Sequence, residues 1–475
     1  MNLILKGREE RVKKRINFMK VNKANSYLCL TINMPGYNKT NNFSKKVFGD
    51  AQKVIKKELN QKNVNIIANK TFRNKAGSVF LLATNLITNE LKKIAIDIEE
   101  NYIAGRLLDI DIYNNENIAI DRDELGYPPR KCFICGQNAK ICMVKNSHTN
   151  KELESYLDDL RSKFETYLNK KIKKTAKLVE VLAYESIIRE VLTSPKPGLV
   201  DLMDSGSHDD MNLDTFLRSS NAIKPFFSKF FIKGAKNFDK KNKFELLRSL
   251  GTKTEEKMFA ATNGVNTQKG IIFSFALVIA ALGELFIKYD CTNFDNISVA
   301  ISKIIKKWTF GLVESELRIK VEKTINDNKK FTSVKKLTHG QICYLSYGIT
   351  GARGEAESGF ENVLNYGLPV LKRYKRQEYS NNFASIQTLI SLISEVDDTN
   401  IIYRSDIDTL KYIKNQFKEL KKQNGILTFE GNKKYEKLNK FMKSNSISPG
   451  GSADLLATTH LFYKIEKNLE QIIYM

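Results

Sequence analysis

Residues 347–359 read Tyr-Gly-Ile-Thr-Gly-Ala-Arg-Gly-Glu-Ala-Glu-Ser-Gly and set Arg353, Glu355 and Glu357 among glycines. A guanidinium is a planar fork for phosphate, and two carboxylates are hard oxygen ligands or proton acceptors. Glycines at this density weaken a helix interior and suit a backbone that turns sharply or lies against a ligand. Taken alone, the stretch reads equally as a surface turn with solvated charges. Four other polar stretches, however, interrupt the apolar helical pattern of the same half: residues 194–210, 264–270, 397–400 and 449–454. A helical domain interrupted this often is expected to surround one polar cavity. Residues 264–270 form a glycine-bounded turn ahead of an apolar helix, a seat for phosphate with Lys269 as counter-charge.

The front half carries two other constellations. In Gly105-Arg-Leu-Leu-Asp-Ile-Asp-Ile-Tyr113, the alternation reads as a strand with Asp109 and Asp111 on one face. Paired carboxylates on an otherwise apolar strand repel unless a cation lies between them. A divalent metal gripping a triphosphate is the economical answer, as in enzymes that move nucleotidyl groups; two solvated aspartates are the alternative. The flanking Leu107, Leu108, Ile110 and Ile112 make the strand look central. Cys132-x2-Cys135-x6-Cys142-x5-His148 offers three thiols and an imidazole for a tetrahedral structural zinc. A turn carrying reduced cysteines fits the irregular second half of that spacing as well.

The elements that must position these groups follow from periodicity. Strands are expected at 26–34, 64–68, 78–83 and 105–113, with helices at 44–60 and 85–100, so the front is α+β. Residues 150–192 read as one long helix. Within it, residues 161–177 carry seven Lys or Arg against one Glu and serve as a linker helix with no apolar face to bury. Beyond it nearly everything is helical, apart from a lysine-rich, exposed segment at 302–337. The expectation is two domains: an N-terminal α+β domain (1–160) with a nucleotidyltransferase-like mixed sheet, a basic linker helix (161–177), and an all-α domain (178–475).

Composition bounds the rest. The chain has 475 residues and a net charge of +24. Lysine enrichment is spread along it and no aromatic-interleaved basic motif occurs, which argues against nucleic acid as partner. The longest apolar run, 271–282, is short for a membrane span and reads as a core helix. Six cysteines, with charges following a very short apolar start, argue for reduced thiols in the cytoplasm.

Several stretches together resemble a known family. Pro195-Lys-Pro-Gly-Leu-Val-Asp201, His208-x-Asp210-Met, Ala261-Thr-x-Gly-Val-Asn-Thr-x-Lys-Gly270, Gly351-x-Arg-Gly-Glu-Ala-Glu-Ser-Gly-Phe360, Asp398-Thr-Asn400 and Ser448-Pro-Gly-Gly-Ser-Ala-Asp-Leu-Leu-Ala457 run in the order of triphosphoribosyl-dephospho-CoA synthase. Leu30-Thr-Ile-Asn-Met-Pro-Gly36, Gly105-Arg-Leu-x-Asp-Ile-Asp111, Leu125-Gly-x-Pro-Pro-Arg130 and the cysteines are similar to the holo-acyl-carrier-protein synthase of citrate lyase. Two departures stand out: Arg122 follows Asp121 where the family favours Ser-Arg, and Gln268 replaces a usual histidine, which argues against a catalytic group there.

The resemblance implies two consecutive reactions. ATP and 3′-dephospho-CoA give 2′-(5″-triphosphoribosyl)-3′-dephospho-CoA and adenine. Phosphoribosyl-dephospho-CoA is then transferred to a serine of the apo acyl carrier protein, the γ subunit of citrate lyase, with release of pyrophosphate. It implies Asp210 or Glu357 as base; Glu355, Asp397 and Asp398 as Mg²⁺ ligands; and Lys196, Asn266, Lys269 and Arg353 on phosphates. In the front half it implies Asp109 and Asp111 with Mg²⁺, and Arg106 and Arg130 on phosphates. The competing readings are a nucleotidyltransferase fused to an ADP-ribosyl-type hydrolase, and a basic RNA- or carrier-protein-binding module without activity.

Overall fold

In the computed structural model the described residues are 2–35, 40–74, 76–237, 243–288, 296–319 and 337–474. The chain divides into two compact units: Met1–Ile172 with Phe286–Phe294 and Ile473–Met475, and Lys173–Leu285 with Asp295–Ile472.

The front unit runs α1 (Asn2–Val21), β1 (Ser26–Ile32), α2 (Asn42–Gln61), β2 (Ile66–Asn74), β3 (Gly77–Thr84), α3 (Thr88–Asn101), β4 (Leu108–Asn114), α4 (Ala139–Lys145) and the start of α5 (Asn150–Val191). The strand order is β2-β3-β1-β4 with every neighbouring pair antiparallel, so the sheet is not mixed as the sequence reading expects. The reason is topological. β1 and β2 share a direction, but β3 folds back into the place between them, and all adjacent ladders then oppose. The expected turn at Pro35-Gly36 lies partly outside the described residues.

A second correction concerns β4, which is an edge strand rather than a central one. Its Leu108, Ile110 and Ile112 are apolar because that side is buried, packed against α3. The opposite side of the sheet presents Tyr27, Cys29, Val79, Leu81, Ala83 and Tyr113, closed by Phe18 and Met19 of α1. Asp109 and Asp111 lie on this second side, in register with Thr31 and Cys29.

Residues 161–177 lie inside the unbroken helix α5 and are not a bare linker. Phe164, Leu168, Ile172 and Ala176 recur every four residues and are buried, a stripe hidden beneath the dominant lysine count. Lys171 is itself largely covered and pairs with the buried Asp50 at 2.8 Å.

The back unit is helical throughout its described residues. After the remainder of α5 come α6 (Leu213–Lys236), α7 (Lys243–Ala261), α8 (Lys269–Ile287), α9 (Ile297–Thr309), α10 (His339–Tyr347), α11 (Gly351–Glu357), α12 (Leu368–Arg376), α13 (Asn381–Glu395), α14 (Thr399–Arg404), α15 (Ile407–Lys422), α16 (Phe429–Ser444), α17 (Gly450–Lys467) and α18 (Leu469–Tyr474). Helix α8 is long and apolar enough by composition to cross a membrane, but 83% of its apolar window is buried inside the protein. It is apolar all round because it is a core helix. Most of α13 and α17 is buried as well. Of the lysine-rich segment expected to be exposed, the first part is amphipathic: α9 buries Ile301, Ile304 and Ile305 while Lys303, Lys306 and Lys307 face water. Residues 320–336 of that segment lie outside the described residues.

Candidate functional site

Four of the five polar stretches meet at one cavity of about 510 Å³ in the back unit. It sits where the N-termini of α8 and α17 and the short helix α11 converge on the C-terminal end of α13. Gly270, Glu355, Val396 and Gly451 mark these four contributions to its wall. The glycines permit the convergence. A Cβ on Gly270 would stand 1.8 Å from Asp454 Oδ2, and one on Gly451 would stand 3.0 Å from Asp398 Oδ1. Six carboxylates line the cavity, Glu355, Glu361, Glu395, Asp397, Asp398 and Asp454, with no lysine or arginine among the described lining residues.

These carboxylates are not equivalent. Asp398 is buried and caps α14, accepting from Asn400 N–H at 3.0 Å, and it also takes Gly451 N–H at 3.2 Å and the amide and hydroxyl of Ser452 at 2.7 and 2.9 Å. Its lone pairs are committed to holding the start of α17. Burial still raises its pKa, and the bonds from Ser452, Asn400 and Gly451 pull it back down. Glu355 accepts from the backbone and side chain of Asn362, at 3.1 and 2.7 Å, and from the Val363 N–H. Burial pushes its carboxyl up to about 7. Asp454 is pushed well above the ordinary carboxylate range, by burial first and then by the charges of Glu190 and Asp398. Asp397 is exposed and pairs with Lys414, and Glu395 pairs with Lys421 at 3.1 Å.

A neighbouring cleft of about 330 Å³ shares Gly270 and Ala352 with the cavity and supplies the cations it lacks: Arg248, Lys269 and Arg353. Arg353 Nε donates to Glu316 Oε2 at 2.8 Å, Arg248 also pairs with Glu316, and Lys269 pairs with Glu255 at 3.1 Å.

The structure therefore separates residues that the sequence reading groups. Residues 351–357 are helical, not an open turn. Residues two apart on a helix point roughly 200° apart, and residues four apart share a face. Arg353 and Glu357 accordingly both face residues 311–316, while Glu355 faces the cavity. Glu357 accepts Gly311 N–H and Val313 N–H at 2.8 Å each and is not among the lining residues. Asp210 is exposed, 3.8 Å from His208 Nδ1, and is also outside the cavity wall. Lys196 is buried against Glu190 rather than open to a ligand. Asn266 is exposed and accepts the Lys269 N–H at 3.3 Å, as a cap for α8. Gln268 is fully buried and hydrogen-bonded to Ser219 and Ser220 at 2.7 and 2.8 Å, so it faces the interior. The fifth stretch, 194–210, braces the wall from behind. His208 Nε2 meets Ser448 Oγ at 2.9 Å, and Lys196 N–H donates to Asp201 Oδ2 at 2.7 Å. The sequence reading passes over two groups. Asp454 stands in a motif it quotes, while Glu190 carries no signal, since it reads as an ordinary helix position.

In the front unit Thr31 Oγ1 lies 3.3 Å from Asp109 Oδ2 and Arg130 Nη1 lies 3.7 Å from Asp109 Oδ1. Arg130 also pairs with the buried Glu99, whose Oε1 accepts the Ile110 N–H of β4 at 3.1 Å. Burial, then the Asp109 charge, raises the pKa of Asp111. Arg11 and Arg15 of α1 are close enough to act electrostatically on this face, and Arg15 stacks over the Tyr113 ring at 3.8 Å. Arg106 lies over the Phe133 ring at 5.6 Å. The ligand atoms of Cys132, Cys135, Cys142 and His148 all lie within 4.8 Å of one another.

The back unit thus sets an acid-walled cavity beside a cleft lined by Arg248, Lys269 and Arg353, and the front unit sets paired aspartates among arginines. Residues 176–472 match the CitG family, ATP:dephospho-CoA triphosphoribosyl transferase, and residues 1–164 match the CitX family, apo-citrate lyase phosphoribosyl-dephospho-CoA transferase. The chain is 33% identical over 463 residues to Protein CitXG of Leuconostoc mesenteroides subsp. cremoris, covering 96% of this chain and 95% of that one. It is 31% identical over 450 residues to Protein CitXG of Haemophilus influenzae, covering 93% and 91%. A probable 2-(5″-triphosphoribosyl)-3′-dephosphocoenzyme-A synthase of Salmonella gallinarum is 37% identical over 280 residues, 58% of this chain and 87% of that one. The chain belongs to the CitG family of transferases, fused behind a CitX domain, and is a bifunctional transferase that makes and attaches the citrate lyase prosthetic group.

Proposed function

We propose that the synthase reaction runs in the acid-walled cavity, with Glu355 as the base. The 2′-hydroxyl of 3′-dephospho-CoA loses its proton to Glu355 while its oxygen bonds to the ribose anomeric carbon of ATP. The bond from that carbon to adenine breaks, and adenine leaves with the electron pair and takes a proton at a ring nitrogen from solvent, while Glu355 later returns its own proton to solvent. A carboxyl with a pKa near neutrality is matched to such a transfer. Asp210 and Glu357, the bases the family resemblance implies, are respectively exposed off the cavity and occupied by two backbone N–H groups. The observation that carries the reading is the sorting of charge: in a chain of net charge +24, six carboxylates wall one cavity with no basic side chain among its described lining residues, and Arg248, Lys269 and Arg353 lie next door, paired with Glu316 and Glu255.

Oxygen donors without thiols or imidazoles suit Mg²⁺, and Asp397 with Asp454 would hold it; when bound it neutralises triphosphate charge. The N-termini of α8 and α17 add partial positive charge at the same mouth. Lys269 and Arg353 serve the phosphates from the cleft. Lys196 acts indirectly, by compensating Glu190 behind Asp454.

For the transfer step, a carrier serine hydroxyl gives up its proton to solvent as its oxygen bonds to the α-phosphorus of the precursor, and the bond to pyrophosphate breaks, pyrophosphate leaving with the electron pair. Asp109 and Asp111 would hold Mg²⁺ there, with Arg130 and Arg106 on the phosphates. The paired aspartates beside Thr31 support a nucleotidyltransferase-like reading of the front unit, on an antiparallel sheet. Residues 1–160 and 178–475 are taken as the two catalytic domains. The test is adenine release from ATP with and without 3′-dephospho-CoA. Release that needs no dephospho-CoA would mean water is the acceptor and would overturn the synthase assignment in favour of a hydrolase.

A further inference from the structure

The geometry points to a structural zinc site formed by Cys132, Cys135, Cys142 and His148, which holds the phosphate-facing arginines of the transferase unit in place. Cys132 Sγ lies 3.2 Å from His148 Nε2, Cys135 Sγ lies 3.4 Å from Cys142 Sγ, and no pair of the four ligand atoms exceeds 4.8 Å. A tetrahedral ion with Zn–S of about 2.3 Å and Zn–N of about 2.0 Å sets neighbouring ligand atoms about 3.5–3.8 Å apart. The four atoms thus need only small adjustments to close around one ion.

The chain around them is shaped for this. Lys131 and Asn138 pair across a tight turn, which Gly136 completes at φ +71°. Ile134 N–H points at Cys132 Sγ at 3.5 Å, the outer hydrogen bond that thiolate ligands accept. α4 then presents Cys142. Left-handed Asn146, at φ +47°, turns the chain back so that Ser147 N–H bonds Cys142 C=O at 3.0 Å and His148 follows.

An independent observation says that this segment needs a staple. Among residues 114–150, Cys142 alone is buried, and Ile141, Met143 and Val144 of α4 are 48%, 72% and 78% exposed. A segment with no apolar core is held by a metal, by disulfides or not at all.

What the ion would position is specific. Arg130, two residues before Cys132, reaches Glu99 and Asp109, and Phe133, inside the Cys-x2-Cys turn, carries the Arg106 guanidinium over its ring. This second half of the inference rests on the transferase reading above; the zinc site itself does not.

The test is metal analysis of the full-length protein purified under reducing conditions without chelator. The expected result is about one zinc per chain. Cobalt exchanged into the site should show the intense visible absorption of tetrahedral coordination and thiolate charge transfer near the ultraviolet. Cys142→Ser should lose both the zinc and the cobalt spectrum. Zinc-stripped protein should transfer precursor to apo carrier about ten- to a hundredfold more slowly, while adenine release stays near the wild-type rate. Protein that neither carries zinc nor takes up added zinc or cobalt, or that holds a Cys135–Cys142 disulfide under these conditions, would overturn the site. Normal transfer by stripped protein would overturn the positioning role. Zinc content does not depend on activity, so failure of the site and failure of the transferase reading give different results.

Discussion

Replacing Glu355 by glutamine should make the protein both inactive as a synthase and more stable in mild alkali. The carboxyl lies at about 7 in the fold against an ordinary 4.5, and the cause is burial. A raised carboxyl pKa means that the folded state binds this proton more tightly than the unfolded chain does. Its contribution to stability is therefore fully present below about 4.5, declines as pH rises, and becomes a complete penalty above about 7. At about 1.36 kcal/mol per pH unit, that interval amounts to about 3 kcal/mol. Glutamine cannot ionise and escapes the penalty. It keeps an oxygen for the Asn362 N–H, but its amide opposes the Asn362 side-chain donor that now bonds Oε2 at 2.7 Å. That lost bond costs about 1 kcal/mol. The net expectation at pH 8 is a gain of about 1–2 kcal/mol, worth a few degrees in melting temperature. At pH 5 the variant should equal the wild type or fall slightly below it. Dephospho-CoA-dependent adenine release should drop by about 10²–10⁴, and the wild-type kcat/KM should fall on the acid side of a midpoint near 7. Thermal unfolding at the two pH values and an adenine assay suffice. A variant destabilised equally at both pH values, or one that still releases adenine, would refute the reasoning.

Glu357→Gln should do the reverse: glutamine can accept only one of the two backbone N–H bonds from Gly311 and Val313, so the protein should lose about 1–3 kcal/mol. Once folded, its turnover should stay close to wild type, which urea unfolding and the adenine assay check together. Arg353→Ala should raise the KM for ATP more than it lowers kcat, because Glu316 keeps Arg248 as partner and the local fold survives; a pure kcat loss would move Arg353 from binding to chemistry. Asp111→Asn should slow pyrophosphate release from precursor and apo carrier by several orders of magnitude. Because burial and Asp109 raise its pKa, the amide should cost no stability at pH 8, and wild-type transfer rates would sink the metal assignment.

The polar stretches that build the cavity were legible in the sequence because close approach demands glycine and carboxylates mark themselves by type. Their division of labour was not legible. Whether Glu355 or Glu357 faces the cavity depends on residues 351–357 being helical, and their glycines argue the other way; the close packing of α11 against α9 overrides that preference. Lys196 looked like a phosphate ligand because its partner Glu190 lies in a different element and reads as surface. The front sheet shows the same limit. Alternation in residues 105–113 identified a strand and put both aspartates on one side, but neither strand direction nor edge position leaves a trace in one strand's pattern. Likewise, the buried stripe of Phe164, Leu168, Ile172 and Ala176 was masked by lysines, whose long stems can flank a buried face while their charges stay in water.

What distinguishes a working carboxylate from a structural one here is how many of its lone pairs the protein has already used. Asp398 takes four hydrogen bonds, three of them from residues 451 and 452, and Glu357 takes two from the backbone ahead of α10. Asp398 shapes the wall, Glu357 holds residues 311–313 outside it, and both have their lone pairs turned to the backbone. Glu355 and Asp454 line the cavity with raised pKa values, and Glu355 accepts from Asn362 and from the Val363 N–H, fewer bonds than the four Asp398 takes. An ionised carboxylate left under-satisfied in a buried site costs free energy that a purely structural role would not justify. The cost is intelligible where a proton must be taken up and a cation must be held, which is what joining a ribosyl carbon to a hydroxyl beside a triphosphate requires.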